Sequence, residues 1–332
     1  MTNGGERAYA YAKACGIIGR SFVGKRKALL EKAMGLSELD RMIFPNSFAN
    51  LPERELLYNL EKRIEDRTAD SILKIINGFS SPPEFFILLL RAYEYTDLKS
   101  AIVAAIEKEP AAPPHVNIGR FQTVNFNAWP DLRKMVVGTE YTLLLPRKNI
   151  TDRQTEIIAL ESAFDRHYYN ALWRSLSSIP HRERRITEKI LSEEISLKNC
   201  SWALRLRHYY NMRHDDVKTY LVDIKNEEAI QSLEYPLDSY PEWHSWRWKG
   251  FLNPETTAGH WRLDPRHFQN AASRHLYNLS RHSFFLGSTS LDTIFCFIKL
   301  KQFEEDILTS AAEGLGVGMT VKEVFTTLGL AT

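Results

Sequence analysis

At 332 residues, with 44% hydrophobic and 25% charged side chains, the chain has the composition of a folded globular protein of two or three domains, which excludes a disordered or fibrous polymer. A net charge of +2 excludes the marked basic excess that phosphate backbones select, so no nucleic-acid partner is expected, and three scattered cysteines, Cys15, Cys200 and Cys296, exclude a disulfide framework and fit a reducing compartment. The apolar stretches 83–106 and 283–300 are too charged or too short to cross a bilayer and no signal-like segment opens the chain, so any membrane association is expected to be indirect.

The dominant pattern along the chain is helical. Between Pro52 and Asn77, Leu56, Leu57, Leu60, Ile64, Ile72, Ile75 and Ile76 recur at steps of three and four, as one buried helix face requires. A second helix opens at Pro82-Pro83, carries the wide apolar run Phe85 to Leu90, and must stop before Glu109-Pro110. Pro110-Ala-Ala-Pro-Pro114 reads as a linker and the first domain boundary. Thr151 or Asp152 is expected to cap a helix with Ile157, Leu160, Phe164, Tyr168 and Leu172 on one face, ending at Ser178-Ile-Pro180. Thr187 begins a further long helix, which His214-Asp215-Asp216 is expected to interrupt. Residues 236–265 gather Pro236, Pro241, Pro254 and Pro265 with Trp243, Trp246, Trp248 and Trp261, and read as an ordered aromatic loop that could form an interface. Helical stripes return with Phe268, Ala271, Ala272, His275, Leu276 and Leu279, and with Leu291, Ile294, Phe295, Ile298, Phe303 and Leu308. Gly314 and Gly316 are expected to end the latter, and Thr320-Val-Lys-Glu323 spells a capping box for a last short helix. Period-two alternation is rare, so the fold class is all-α.

A short similarity recurs late in the long helices. Leu90-Arg91-Ala92-Tyr93-Glu94 followed by Leu98 matches Leu300-Lys301-Gln302-Phe303-Glu304 followed by Leu308, and Leu204-Arg205-Leu206-Arg207 takes the corresponding place without the glutamate. Such units suggest a repeated helical domain, with chance similarity between amphipathic helices as the rival. Lys plus Arg against Asp plus Glu runs 16 to 15 over residues 1–110, 18 to 13 over 111–225 and 9 to 13 over 226–332. A basic middle third beside an acidic last third fits partners of different charge, although solvated helix faces produce such imbalances too.

The residue types for chemistry are present without the spacing that chemistry needs. No Gly-rich phosphate loop precedes a Gly-Lys-Ser/Thr, and no Gly-x-Ser-x-Gly elbow occurs. Neither His208, His214 and Asp215 nor His260, His267 and His275 has the i, i+4 pairing that sets metal ligands on one helix face. No catalytic residue, cofactor or metal site is therefore expected.

Taken in order, several segments resemble the C/d family of V-type ATPase subunits, over nearly the whole chain. They are Tyr9-Ala-Tyr-Ala-Lys13 through Gly35-Leu-Ser-Glu-Leu39; Glu55 to Leu73 and Leu88 to Leu98; Gly138-Thr139-Glu140-Tyr141; Phe164-Asp165-Arg166-His167-Tyr168-Tyr169; Glu194, Asn199 and Arg205; and Leu300 to Ile307 with Glu313-Gly314. Gln302, Phe303 and Ile307 depart from the family's last motif, as does the tryptophan-rich loop from its third unit. The resemblance implies three similar helical bundles in a funnel-like pseudo-threefold arrangement, here 1–110, 111–225 and 226–332. It also implies a non-catalytic rotor subunit on the cytoplasmic face of a membrane, joining central-shaft subunits to the membrane rotor ring and transmitting torque for ion transport. Such a subunit is expected to be monomeric alone. Arg91, Glu94, Arg205, Arg207, Lys301 and Glu304 are then candidate interdomain or partner contacts. The alternative is an all-helical scaffold or regulator that binds protein or nucleic acid through the basic middle third.

Overall fold

A computed structural model describes residues 4–145, 153–255 and 260–330. Among these residues there is no β-strand, as the missing alternation predicts. The helices are α1 (Gly4–Ile18), α2 (Leu36–Ile43), α3 (Glu53–Ile76), α4 (Glu84–Glu107), α5 (Leu132–Met135), α6 (Arg153–Ser175), α7 (Arg185–Tyr210), α8 (His214–Thr219), α9 (Glu227–Ser232), α10 (Pro265–Leu286), α11 (Leu291–Gly316) and α12 (Val321–Thr327). The expected cap at Thr151 or Asp152 lies outside the described residues. The chain forms two compact units. One comprises Met1–Phe86, Arg182–Thr187 and Ser273–Thr332, and the other Ile87–His181 and Glu188–Ala272.

In the first unit α11 is the central element, packed along α3 and against α1, α2 and α12. Leu56, Leu60 and Ile64 of α3 meet Phe303, Ile307, Leu308, Ala311 and Ala312 of α11 in one core. Each leucine, isoleucine or phenylalanine among them contributes about 1.5–3 kcal/mol of transfer free energy when fully buried. At the start of α4, Phe85 packs on Phe86 at 5.9 Å between ring centroids and on Phe295 at 5.7 Å, so the wide apolar opening is buried as its composition predicts. The capping box is formed as spelled: Thr320 accepts from the Glu323 N–H, and Glu323 reaches back to the Thr320 N–H. Gly316 is the last residue of α11, but Gly314 is not a stop. It is a point of close approach, since a Cβ there would collide with Val324 of α12.

In the second unit α4, α6 and the irregular stretch 116–145 enclose a core containing Tyr95, Leu98, Ile102, Val124, Tyr141 and Phe164. The break after α7 is not made by His214-Asp215-Asp216. It falls at Asn211, which takes a left-handed φ of 49° that asparagine tolerates, and Asp215 and Asp216 instead occupy the first turn of α8, where acidic groups suit the helix dipole. The tryptophans of the aromatic loop do not face outward. Trp243, Trp246, Trp248 and Trp261 are all buried. Three of their indoles stay dry at little cost because the ring N–H groups find main-chain acceptors: Trp243 to Pro236 O at 2.8 Å, Trp246 to Glu228 O at 3.0 Å and Trp261 to Asn253 O at 3.1 Å.

Candidate functional site

Three of the six polar residues expected at interfaces are sealed inside a unit: Glu94 is 0%, Lys301 1% and Glu304 1% exposed. A buried charge is tolerated only with a partner, and each has one. Lys301 Nζ donates to Glu304 Oε2, one turn away on α11, and Arg67 of α3 stands 3.7 Å from Glu304 Oε1. Burial opposes ionisation of Glu304, but Lys301, the Phe22 N–H and Arg67 outweigh it and hold the carboxyl below its ordinary range, while burial pulls Lys301 down against the pull of Glu304. In the second unit Glu94 accepts from the Tyr141 hydroxyl at 3.1 Å, with Arg91 Nε 3.9 Å away. Arg91, Arg205 and Arg207 are half-buried. Arg205 lies over the Trp202 ring at 5.7 Å, and Arg207 donates to Ser232 O and Tyr235 O, both at 2.7 Å. All six therefore bind within their own unit, and several join stretches far apart in sequence.

Three of the motifs, those around Leu98, Tyr141 and Phe164, converge in the second unit. Tyr95 of α4 is the hub: its ring meets Tyr141 at 5.0 Å, Tyr168 at 5.1 Å and Phe164 at 6.1 Å, all edge-on, the geometry that aromatic quadrupoles favour. Its hydroxyl lies 2.7 Å from His167 Nδ1, and His167 Nε2 lies 3.5 Å from Glu140. Thus Gly138-Thr139-Glu140-Tyr141 and Asp165-Arg166-His167-Tyr168, separate in sequence, form one cluster. Beside it Asp165 accepts from Trp202 Nε1 at 3.0 Å and pairs with Lys198 at 2.9 Å and Lys99 at 4.0 Å. Burial pushes this carboxyl up, but the two lysines prevail and hold it below its ordinary range. Tyr169 donates to Glu194 at 3.3 Å, and Asn199 clamps a turn by accepting from Val222 N at 2.8 Å and donating to Ile224 O at 3.0 Å.

The polar groups named in this cluster are engaged in structure, and burial raises the tyrosines far above the range in which they would ionise. The arrangement ties α4, α6, α7 and the stretch around Tyr141 to one another. A groove of about 570 Å³ along α6 is lined by Leu144, His167, Trp173, Arg174 and Ile224. Its basic wall is already occupied at Arg166, which donates to Leu221 O at 3.1 Å and stands 3.4 Å from Asp223. Tyr95, Lys99 and Lys198 are the contributors that sequence periodicity does not single out, because it marks apolar faces and leaves undetermined which polar neighbour turns inward.

The chain matches the model of the ATP synthase (C/AC39) subunit family over residues 32–324. It is 26% identical over 326 residues to a Treponema pallidum (strain Nichols) protein described only as uncharacterized, covering 93% of this chain and 92% of that one. It is 23% identical over 229 residues to the C subunit of an A-type ATP synthase from Methanosphaera stadtmanae, covering 65% of this chain and 58% of that relative.

Proposed function

Because the chain belongs to the ATP synthase (C/AC39) subunit family, we propose that it is the non-catalytic part that joins the central shaft of an A/V-type ATPase to its membrane rotor ring and transmits torque between ATP chemistry and ion movement. The geometric observation that carries this reading is the fate of the shared motifs: Glu94, Tyr95 and Tyr141 are buried and hydrogen-bonded, and the half-buried Asp165 and His167 are tied in at their edge. A part that relays force must keep its shape, and close-packed helices tied by buried polar bonds deform little. No helix among the described residues is long and apolar enough to cross a membrane, which fits a protein held at the membrane by the ring.

The same proposal includes the cytoplasmic face, an isolated monomer and three related helical bundles at 1–110, 111–225 and 226–332. Arg91, Glu94, Arg205, Arg207, Lys301 and Glu304 remain its proposed interdomain or partner contacts, and across those bounds Glu94 accepts from Tyr141 and Glu304 from the Phe22 N–H. The alternative of a scaffold with a basic binding face finds less support, since Arg166, Lys198 and Arg207 of the middle third are bonded within their own unit. The test is affinity purification of the tagged full chain from its own membranes. Shaft and ring subunits should accompany it, and recovery without either would end the proposal.

A further inference from the structure

Glu304 and Glu94 each capture main-chain N–H groups, and the captured segments begin with the same tripeptide. In the first unit Ile18-Gly19-Arg20 leads to Phe22, whose N–H donates to Glu304 Oε1 at 2.7 Å. In the second, Ile118-Gly119-Arg120 leads to Thr123 and Val124, whose N–H groups both donate to Glu94 Oε1, Val124 at 2.9 Å. The basic residue one turn earlier repeats as well. Lys301 Nζ reaches Ser21 Oγ at 3.5 Å, and Arg91 Nε donates to Phe121 O at 3.1 Å, each partner being the residue that follows the tripeptide. Ile18 and Ile118 are both buried. Similarity between amphipathic helices explains Leu-basic-x-aromatic-Glu by itself, but not a shared Ile-Gly-Arg segment after which the glutamate captures main-chain N–H groups, four residues beyond Ile18 at Phe22 and five and six beyond Ile118 at Thr123 and Val124.

The third helix of this pattern differs. His208 of α7 stands where the glutamate would be, and its buried Nδ1 has no hydrogen-bond partner among the described residues. The neighbouring Arg207 instead holds the carbonyls of Ser232 and Tyr235.

We propose that Glu304 and Glu94 are equivalent positioning residues, a clasp made once in each unit, that keep the Ile-Gly-Arg segment seated on its long helix while the protein transmits force. This rests on the coupling function proposed above. Apolar contacts alone let a segment slide with little change in buried area, whereas a charge-assisted bond from a buried carboxylate to a main-chain N–H is directional and resists shear.

The test uses Glu304→Gln and Glu94→Gln in the full chain and in the assembled ATPase. Amide exchange in the first variant should quicken about tenfold at Phe22 and its neighbours while Thr123 and Val124 keep their protection, with the reverse in the second. In the assembled complex, ATP hydrolysis should persist while ions moved per ATP fall several-fold, which a merely local loosening would not produce. Unchanged exchange at those amides, or faster exchange with unchanged ions per ATP, would overturn the clasp. If a glutamine variant does not fold, Arg67→Gln and Arg91→Gln, which weaken each clasp from its half-exposed rim, are read the same way. A complex that couples hydrolysis to transport without the chain would instead overturn the coupling function, and the clasp's role under force with it, while the exchange pattern would still report the bonds themselves.

Discussion

Tyr95 and His167 meet through a 2.7 Å hydrogen bond inside an aromatic cluster, and burial of that imidazole gives the second unit a dependence on pH. Burial holds His167 below its ordinary pKa, with Glu140 opposing and Arg174 assisting. The folded ring is therefore neutral where the unfolded chain, with a value near 6.5, already takes up a proton. Its contribution to stability is complete above that value and declines as pH falls through it toward the lower folded value. The urea midpoint should decrease between about pH 7.5 and about pH 5.5, and His167→Gln should flatten that decrease; an identical slope in the variant would refute the assignment. Glu304 has the usual carboxylate sign: its depressed folded pKa stabilises the first unit above the ordinary glutamate range, and this is lost only in stronger acid.

Helices α11 and α12 show how one element sets the tolerance of another. Alanine in place of a helical glycine ordinarily gains about 1 kcal/mol. At Gly314 the added Cβ would strike Val324, so overpacking of about 1–3 kcal/mol should reverse the sign. Gly314→Ala is expected to lower the denaturant midpoint, and adding Val324→Ala should remove the penalty, leaving the double variant no less stable than Val324→Ala alone. The elements themselves were largely legible. The apolar steps of α3, the proline stop after α4 and the Thr320 capping box are signals within a few residues, and each produced the helix or boundary it predicts. Asn211 was missed, because left-handed asparagine is one choice among several in a polar stretch. The close approach behind Gly314 was missed because its cause lies in a different helix.

At the scale of the whole molecule, the tryptophans offer a selective probe. Trp129, Trp173, Trp202, Trp243, Trp246, Trp248 and Trp261 all belong to the second unit. Intrinsic fluorescence therefore follows that unit, whereas far-ultraviolet circular dichroism follows the helices of both. Glu304→Gln should advance part of the circular-dichroism transition ahead of the fluorescence transition during denaturant unfolding, and Glu94→Gln should shift the fluorescence. Coincident transitions in the Glu304 variant would mean that the two units lose structure as one cooperative system.

The amino-acid sequence by itself determined that this chain is all-helical and where most helices run, since periodicity, capping and proline exclusion act over a single turn or two. The order of its motifs also pointed to the ATP synthase (C/AC39) subunit family, to which the match over residues 32–324 assigns it. Only the tertiary structure decided that Glu94, Lys301 and Glu304 turn inward, that the four tryptophans of the aromatic loop are buried, and that a buried glutamate captures the chain just after each Ile-Gly-Arg segment. A helix periodicity places a charged residue at the edge of an apolar stripe without stating what faces it. That neighbour comes from residues tens to hundreds of positions away, and its hydrogen-bond donors decide whether the charge can be buried.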